Sequence, residues 1–128
     1  MTYASTSPVR LADDIARLIT TLDDHLLVAG PKQGAEILRH VIDTEDGVLG
    51  RITGVLITAA HRAKVQAEDG TASPELALAL GRAANTLNDA ALDLNDHADE
   101  LKRLAQPSGS PAAVARPAAS AMVARRRR

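Results

Sequence analysis

Leucine recurs every seven residues in the second half of the chain. The four positions are Leu80, Leu87, Leu94 and Leu101. A period of seven is typical of a helix, because a strand would alternate every two residues. Alanine rows lie beside the leucines and widen the apolar face to three positions in seven, which suits a bundle core. With Ser73 as a cap and Pro74 in the first turn, the pattern predicts a long helix over residues 74–105.

A second helix is predicted near the start of the chain, over residues 9–29. Ser7 is a candidate N-cap and Pro8 suits the first turn, as Ser73 and Pro74 do for the other helix. Gly30 followed by Pro31 favours the end of the helix. Aliphatic residues recur between these limits at steps of four, three and four. They are Leu11, Ile15, Leu18 and Leu22. This spacing places one apolar stripe on the helix.

The middle of the chain, residues 32–68, permits two interpretations. Its apolar positions stay in helical phase throughout, which favours one long helix. The five residues 43–47, Asp-Thr-Glu-Asp-Gly, favour a kink or a split instead, because they are poor residues for a helix interior. Asp43 also resembles a cap followed by an acidic first turn. Both alternatives stay open at this stage.

Composition agrees with a helical chain and excludes several classes of protein. The 128 residues include 25 Ala and 16 Leu but no Cys, Trp or Phe. The lack of Cys excludes disulfides and thiolate chemistry. No apolar run in the sequence is long enough to span a membrane, which needs about 20 residues. We therefore predict an all-α, antiparallel bundle of three long helices, or four if the middle one is split, in a cytoplasmic protein without membrane contact.

The last part of the chain has a different composition. Residues 107–128 are rich in Pro, Ala, Ser and Arg and contain no acidic residue, so we predict a disordered tail after a helical domain of residues 1–106. The tail carries a charge of +5, whereas residues 1–104 carry −6. Four adjacent guanidinium groups attract a phosphate backbone. Arg125, Arg126, Arg127 and Arg128 are therefore candidate nucleic-acid-binding residues.

Motifs that would indicate catalysis or a cofactor are missing from the sequence. No glycine-rich phosphate loop and no nucleophile elbow occurs, so we predict neither an enzyme nor a cofactor. His25 and His97 fall on apolar rows near carboxylates, which leaves a metal-binding bundle as an alternative. The Glu-x-x-His pattern of carboxylate metal sites in bundles is absent, and no metal ligands are predicted.

The function favoured by the sequence is that of a small non-catalytic interaction or scaffold protein. Long helices with a wide apolar face need more cover than a thin, alanine-rich core provides, so we predict a homodimer or higher homo-oligomer. The residues predicted to mediate self-association, called the heptad row below, are Leu80, Ala84, Leu87, Ala91, Leu94, Ala98 and Leu101. The sequence does not identify another protein partner. The first alternative is a nucleic-acid accessory protein tethered by its arginine tail.

Overall fold

The structure is a computed structural model that describes residues 7–107. These residues form five α-helices and no strand. The helices are α1 (Pro8–Val28), α2 (Pro31–Ile42), α3 (Val48–Glu68), α4 (Pro74–Asn95) and α5 (Ala98–Leu104). The all-α prediction is therefore confirmed for this part of the chain. The predicted tail, residues 107–128, lies outside the described residues except for its first member.

Two helices begin where the sequence predicts. The hydroxyl of Ser7 accepts a hydrogen bond from the backbone N–H of Val9 at 3.3 Å, and Pro8 occupies the first turn of α1. The hydroxyl of Ser73 accepts from the N–H of Leu76 at 3.2 Å at the start of α4. Each hydroxyl satisfies a backbone donor that has no partner inside the helix.

The middle segment is split, which decides between the two interpretations of residues 32–68. Asp43 ends α2, and its carboxylate accepts hydrogen bonds from the backbone N–H groups of Glu45 at 2.9 Å and Asp46 at 3.2 Å. These hydrogen bonds hold the pKa of Asp43 below its ordinary value, with the bond from Glu45 as the largest cause. The chain turns through residues 44–47 and starts α3 at Val48. The acidic segment thus stabilises a corner between two helices.

The predicted single helix over residues 74–105 is wrong at one place. It is interrupted at Asp96 and His97, which separate α4 from α5. The N–H of His97 donates a hydrogen bond to the carbonyl of Leu94, three residues back. This is the spacing of a 3₁₀ turn, which is common where an α-helix ends. Asn and Asp at 95 and 96 favour such an end, and the acids at 99 and 100 favour a new helix start. A bundle of three long helices is consequently not confirmed.

Helices α3 and α4 form the centre of the fold as an antiparallel hairpin. Gly70, with φ of +85°, helps the chain reverse between them in a conformation that glycine adopts easily. Helix α2 packs mainly on α5 and also on α3, whereas α1 contacts the other helices little. The core consists mostly of alanine, and Ile42 is its only large aliphatic member among the described residues. The buried residues are Ala35, Ile42, Ala63, Ala84 and Ala91, together with the polar Thr53.

Candidate self-association surface

Helix α1 presents an apolar face that the rest of the described chain covers only in part. None of its residues is buried, although it has 21 residues. Leu18 is 67% exposed, and its neighbours along the same stripe are 40–48% exposed. They are Leu11, Ile15 and Ile19. Contiguous apolar exposure of this kind marks interaction surfaces more often than scattered single residues do.

An open cleft of about 390 Å³ separates this face from the first turns of α3. We call it the α1–α3 cleft. Its walls are almost entirely aliphatic: Ile15, Leu18, Ile19 and Leu22 from α1, and Val48, Ile52 and Val55 from α3. Val55 is 67% exposed. The cleft is therefore an apolar surface shared by two helices.

The charged residues at one side of the cleft pair with each other. Arg51 lies 3.0 Å from the carboxylate of Asp46, and both side chains are mostly exposed. An exposed pair of this kind adds little stability, but it neutralises charge at the edge of the apolar walls. An occupant of the cleft would therefore meet an apolar wall with a neutral rim.

Local interactions keep α1 helical in spite of its limited packing. Beyond the Ser7 cap, Arg17 forms an ion pair and hydrogen bond with Asp14 one turn earlier. The hydroxyls of Thr20 and Thr21 donate to backbone carbonyls four residues back. The ion pair supports an exposed helix by a small increment, whereas the threonine bonds share carbonyls that the helix already uses. Most helix stability in proteins comes from burial of an apolar face.

The structure distributes the predicted heptad row over different environments. Ala84 and Ala91 are 4% and 2% exposed, in a helix that packs mainly on α3. Leu80, Leu87, Ala98 and Leu101 are half-buried, and Leu94 is 43% exposed. The two alanines are thus covered within one protomer. Self-association through the rest of the row stays a prediction.

The sequence contains part of the signal for the α1–α3 cleft. The spacing of Leu11, Ile15, Leu18 and Leu22 predicts the aliphatic stripe of α1, but not that α3 lies beside it. Helical periodicity defines which residues share a face, and it does not define what covers that face. The placement of α1 beside the first turns of α3 depends on the helix break at residues 43–47.

A second cleft, of about 630 Å³, lies between the end of α3 and the start of α4. Small residues form much of its wall, and three polar or charged side chains line it as well: His61, Lys64 and Glu68. It therefore lacks the continuous aliphatic lining of the α1–α3 cleft.

The histidines do not meet in a cluster within the described chain. His40 lies 3.6 Å from Glu36 and His97 lies 3.7 Å from Glu100, in exposed pairs between residues only three or four positions apart in the sequence. His25 is exposed near the end of α1. Among residues 7–107, no three His, Asp or Glu side chains come close enough to hold a metal ion. The metal-binding alternative gains no support there.

Two further sequence predictions concern charge and membranes. Residues 125–128, the candidate nucleic-acid-binding arginines, lie outside the described residues. None of the five helices within residues 7–107 combines the length and the apolar character that crossing a membrane requires.

Comparison of the chain with protein-family models, with curated proteins and with solved structures finds no match.

Proposed function

We propose that this chain is a non-catalytic interaction protein that self-associates, with the α1–α3 cleft and the exposed part of the heptad row as its contact surface. The observation that carries the proposal is the uncovered apolar face of α1. Covering the exposed part of Leu18 alone would contribute about 1–2 kcal/mol. A second copy of the chain supplies such cover without any other partner.

The thin core supports the same proposal. Within residues 7–107, four of the five buried apolar residues are alanines, which remove little apolar surface from water compared with leucine or isoleucine. Many larger aliphatic side chains remain exposed on the helices. A domain of this size gains stability when an oligomer interface extends its core.

The proposal assigns no reaction to the α1–α3 cleft. Its lining residues include no Ser, Thr, Cys or His to act as a nucleophile or a general base. The carboxylate in the cleft, Asp46, is paired with Arg51. Aliphatic walls with a paired rim suit the binding of another apolar helix.

The first experiment measures the mass of the full chain by multi-angle light scattering over a range of micromolar concentrations. We expect at least twice the 13.4 kDa of one chain. Leu18→Glu should weaken association at least about 100-fold, because it places a charge in an apolar contact. Thr20→Glu is the matched control, since it adds the same charge at an exposed polar position of the same helix. It should leave the mass unchanged.

A variant of the heptad row tests the second part of the surface. Leu94 is the most exposed member of that row, and Leu94→Glu should also reduce the mass or raise the dissociation constant. Circular dichroism should show unchanged helicity for all variants, because each replaced side chain is well exposed. A wild-type mass of 13.4 kDa at every concentration would contradict self-association.

A further inference from the structure

The two helix interruptions in the body of the protein lie at the same level of the fold. Residues 43–47 separate α2 from α3, and residues 96–97 separate α4 from α5. Gly70, where the chain reverses, lies nearly midway between them in the sequence. We call α2 with α3 the first arm and α4 with α5 the second arm. Since α2 packs on α5 and α3 packs on α4, the two arms run side by side and are interrupted opposite each other.

A small cavity shows that the interruptions meet in space. Its volume is about 240 Å³. Arg39, Ile42 and Asp43 line it from the end of α2, and Asn95 and Ala98 line it from the two sides of the break in the second arm. Few contacts link α2 with α3 or with α4. The place where both arms are interrupted therefore contains unfilled space, and a change of angle there disturbs little close packing.

One row of covered residues continues through each interruption. Every seventh residue of the first arm is buried or half-buried from α2 into α3, and the same holds for the second arm from α4 into α5. A seven-residue spacing that continues through a break is the spacing of an unbroken helix. Continuous arms would therefore still face each other through these residues, which we call the inner rows. They are Ala35, Ile42, Leu49, Leu56 and Ala63 in the first arm, and Ala77, Ala84, Ala91, Ala98 and Ala105 in the second.

From this arrangement we infer that the two interruptions form one joint, across which α2 and α5 swing together relative to the α3–α4 hairpin. In the second state both arms are continuous and straight, and the inner rows still face each other. Neither α2 nor α5 can swing alone without losing the contact between them. The two interruptions therefore act as a single conformational device.

Local hydrogen bonds hold the joint in the bent state that the structure describes. The carboxylate of Asp43 accepts from the N–H groups of Glu45 and Asp46, at 2.9 and 3.2 Å. The N–H of Gly47 donates to the carbonyl of Asp43 at 3.2 Å. In the second arm the N–H of His97 makes a bond three residues back. A straight arm exchanges these bonds for ordinary helical ones, so the two states compete for the same backbone groups.

The joint also borders the α1–α3 cleft, because Asp46 and Gly47 belong to the first interruption and line the cleft as well. Helix α1 is attached at the other end of α2, where the side chain of Leu26 lies over Gly34. One wall of the cleft therefore moves with α2, whereas the other wall belongs to α3, and straightening the joint separates the two. This step rests on the proposed function: the joint controls whether the self-association surface is assembled.

Distances between spin labels within one copy test the joint in the full chain, which contains no native cysteine. Lys32→Cys with Glu68→Cys reports on the first arm, and Glu75→Cys with Arg103→Cys reports on the second. All four side chains are exposed. Labelled chain is mixed with an excess of unlabelled chain, so that each distance measured by double electron–electron resonance belongs to one copy. A continuous first arm gives about 54 Å and a continuous second arm about 42 Å, and a bend shortens either distance.

Gly47→Ala should shift the joint toward the straight state. In the bent state a Cβ at Gly47 would lie 2.5 Å from the carbonyl oxygen of His40, whereas a continuous helix favours alanine over glycine. We expect the ratio of straight to bent molecules to rise at least about 10-fold, so that both distances lengthen. Lengthening of the second arm by a substitution in the first is the specific sign of one joint. Gly54→Ala is the matched control in α3 and should leave both distances unchanged, because its Cβ would meet no atom of residues 7–107 within 4 Å.

A second variant acts on the other arm and replaces only exposed side chains. Asp96→Ala combined with His97→Ala removes two poor helix formers from the interruption. The ratio of straight to bent molecules should rise about 5-fold, and both distances should again lengthen. This variant decides the question if Gly47→Ala does not fold.

The outcomes separate the joint from the proposed function. Unchanged distances in the folded variants, or lengthening of the substituted arm alone, would overturn the joint. Light scattering should show the dissociation constant rising at least about 10-fold with Gly47→Ala, because the straight state lacks the assembled cleft. Lengthened distances with an unchanged constant would overturn the control of self-association. A monomeric wild-type protein would overturn the proposed function and that control with it, whereas lengthening of both arms would still support the joint.

Discussion

Gly50 and Gly54 lie one turn apart in α3, yet their surroundings predict opposite effects of the same substitution. A Cβ atom at Gly50 would lie 2.5 Å from the carbonyl oxygen of Thr44, because the turn after α2 crosses closely over the start of α3. A Cβ at Gly54 would meet no atom of residues 7–107 within 4 Å. The pair thus tests whether the corner between α2 and α3 is as tight as described.

The expected magnitudes follow from helix propensity and from this distance. Gly54→Ala should stabilise the fold by about 1 kcal/mol, because alanine loses less backbone entropy in a helix. Gly50→Ala has the same gain in propensity, but the backbone of residue 44 must move to accommodate the methyl group. Overpacking of this kind costs about 1–3 kcal/mol, so we expect a net loss.

Thermal unfolding followed by circular dichroism measures both changes. At one fixed protein concentration, Gly54→Ala should raise the Tm by about 4–8 °C and Gly50→Ala should lower it. The comparison is internally controlled, since both sites lie in the same helix and receive the same residue. Equal stabilisation by the two substitutions would refute the close approach of Thr44 to Gly50.

Two further predictions concern hydrogen bonds at helix ends. Ser73→Ala should lower the stability by about 1 kcal/mol in urea unfolding, because it removes the acceptor for the Leu76 N–H, and an unchanged midpoint would contradict this role for the cap. Asp43→Asn should lower the Tm at neutral pH, because the hydrogen bonds from Glu45 and Asp46 favour the charged carboxylate and hold its pKa below the ordinary 3.8. The stabilisation by that charge is present above 3.8 and is lost as the pH falls through the lower folded-state pKa, so melts at successively lower pH should show the difference shrinking. A Tm difference that stays constant down to strongly acidic pH would contradict the assigned cause.

The sequence predicts helix starts in this chain better than helix interruptions. Ser7 and Ser73 indicate their helices because capping is a local interaction between a hydroxyl and a nearby N–H. The interruption at Asp96 and His97 was missed, since Leu94 and Leu101 keep the seven-residue phase on both sides of it. A helix interruption that keeps the seven-residue spacing of the leucines cannot be detected from the hydrophobic pattern.

The sequence predicts which residues share the apolar stripe of the candidate surface, but it does not predict that the stripe is exposed. The stripe of Leu11, Ile15, Leu18 and Leu22 follows from spacing alone. Its exposure depends on tertiary packing, because the split at residues 43–47 decides where α3 begins relative to α1. The burial of Ala84 and Ala91 also depends on tertiary packing. The sequence shows that they lie on an apolar face of α4, but not whether α3 or another copy of the chain covers that face.

The pairing of α2 with α5 has a consequence for the order of folding. These helices lie at opposite ends of residues 31–104, so their contact closes a long loop and carries an entropic cost that rises slowly with loop length. The α3–α4 hairpin forms from neighbouring segments and meets a much smaller cost. The α3–α4 hairpin should therefore form first during folding. The packing of α2 on α5 should follow as the slower step.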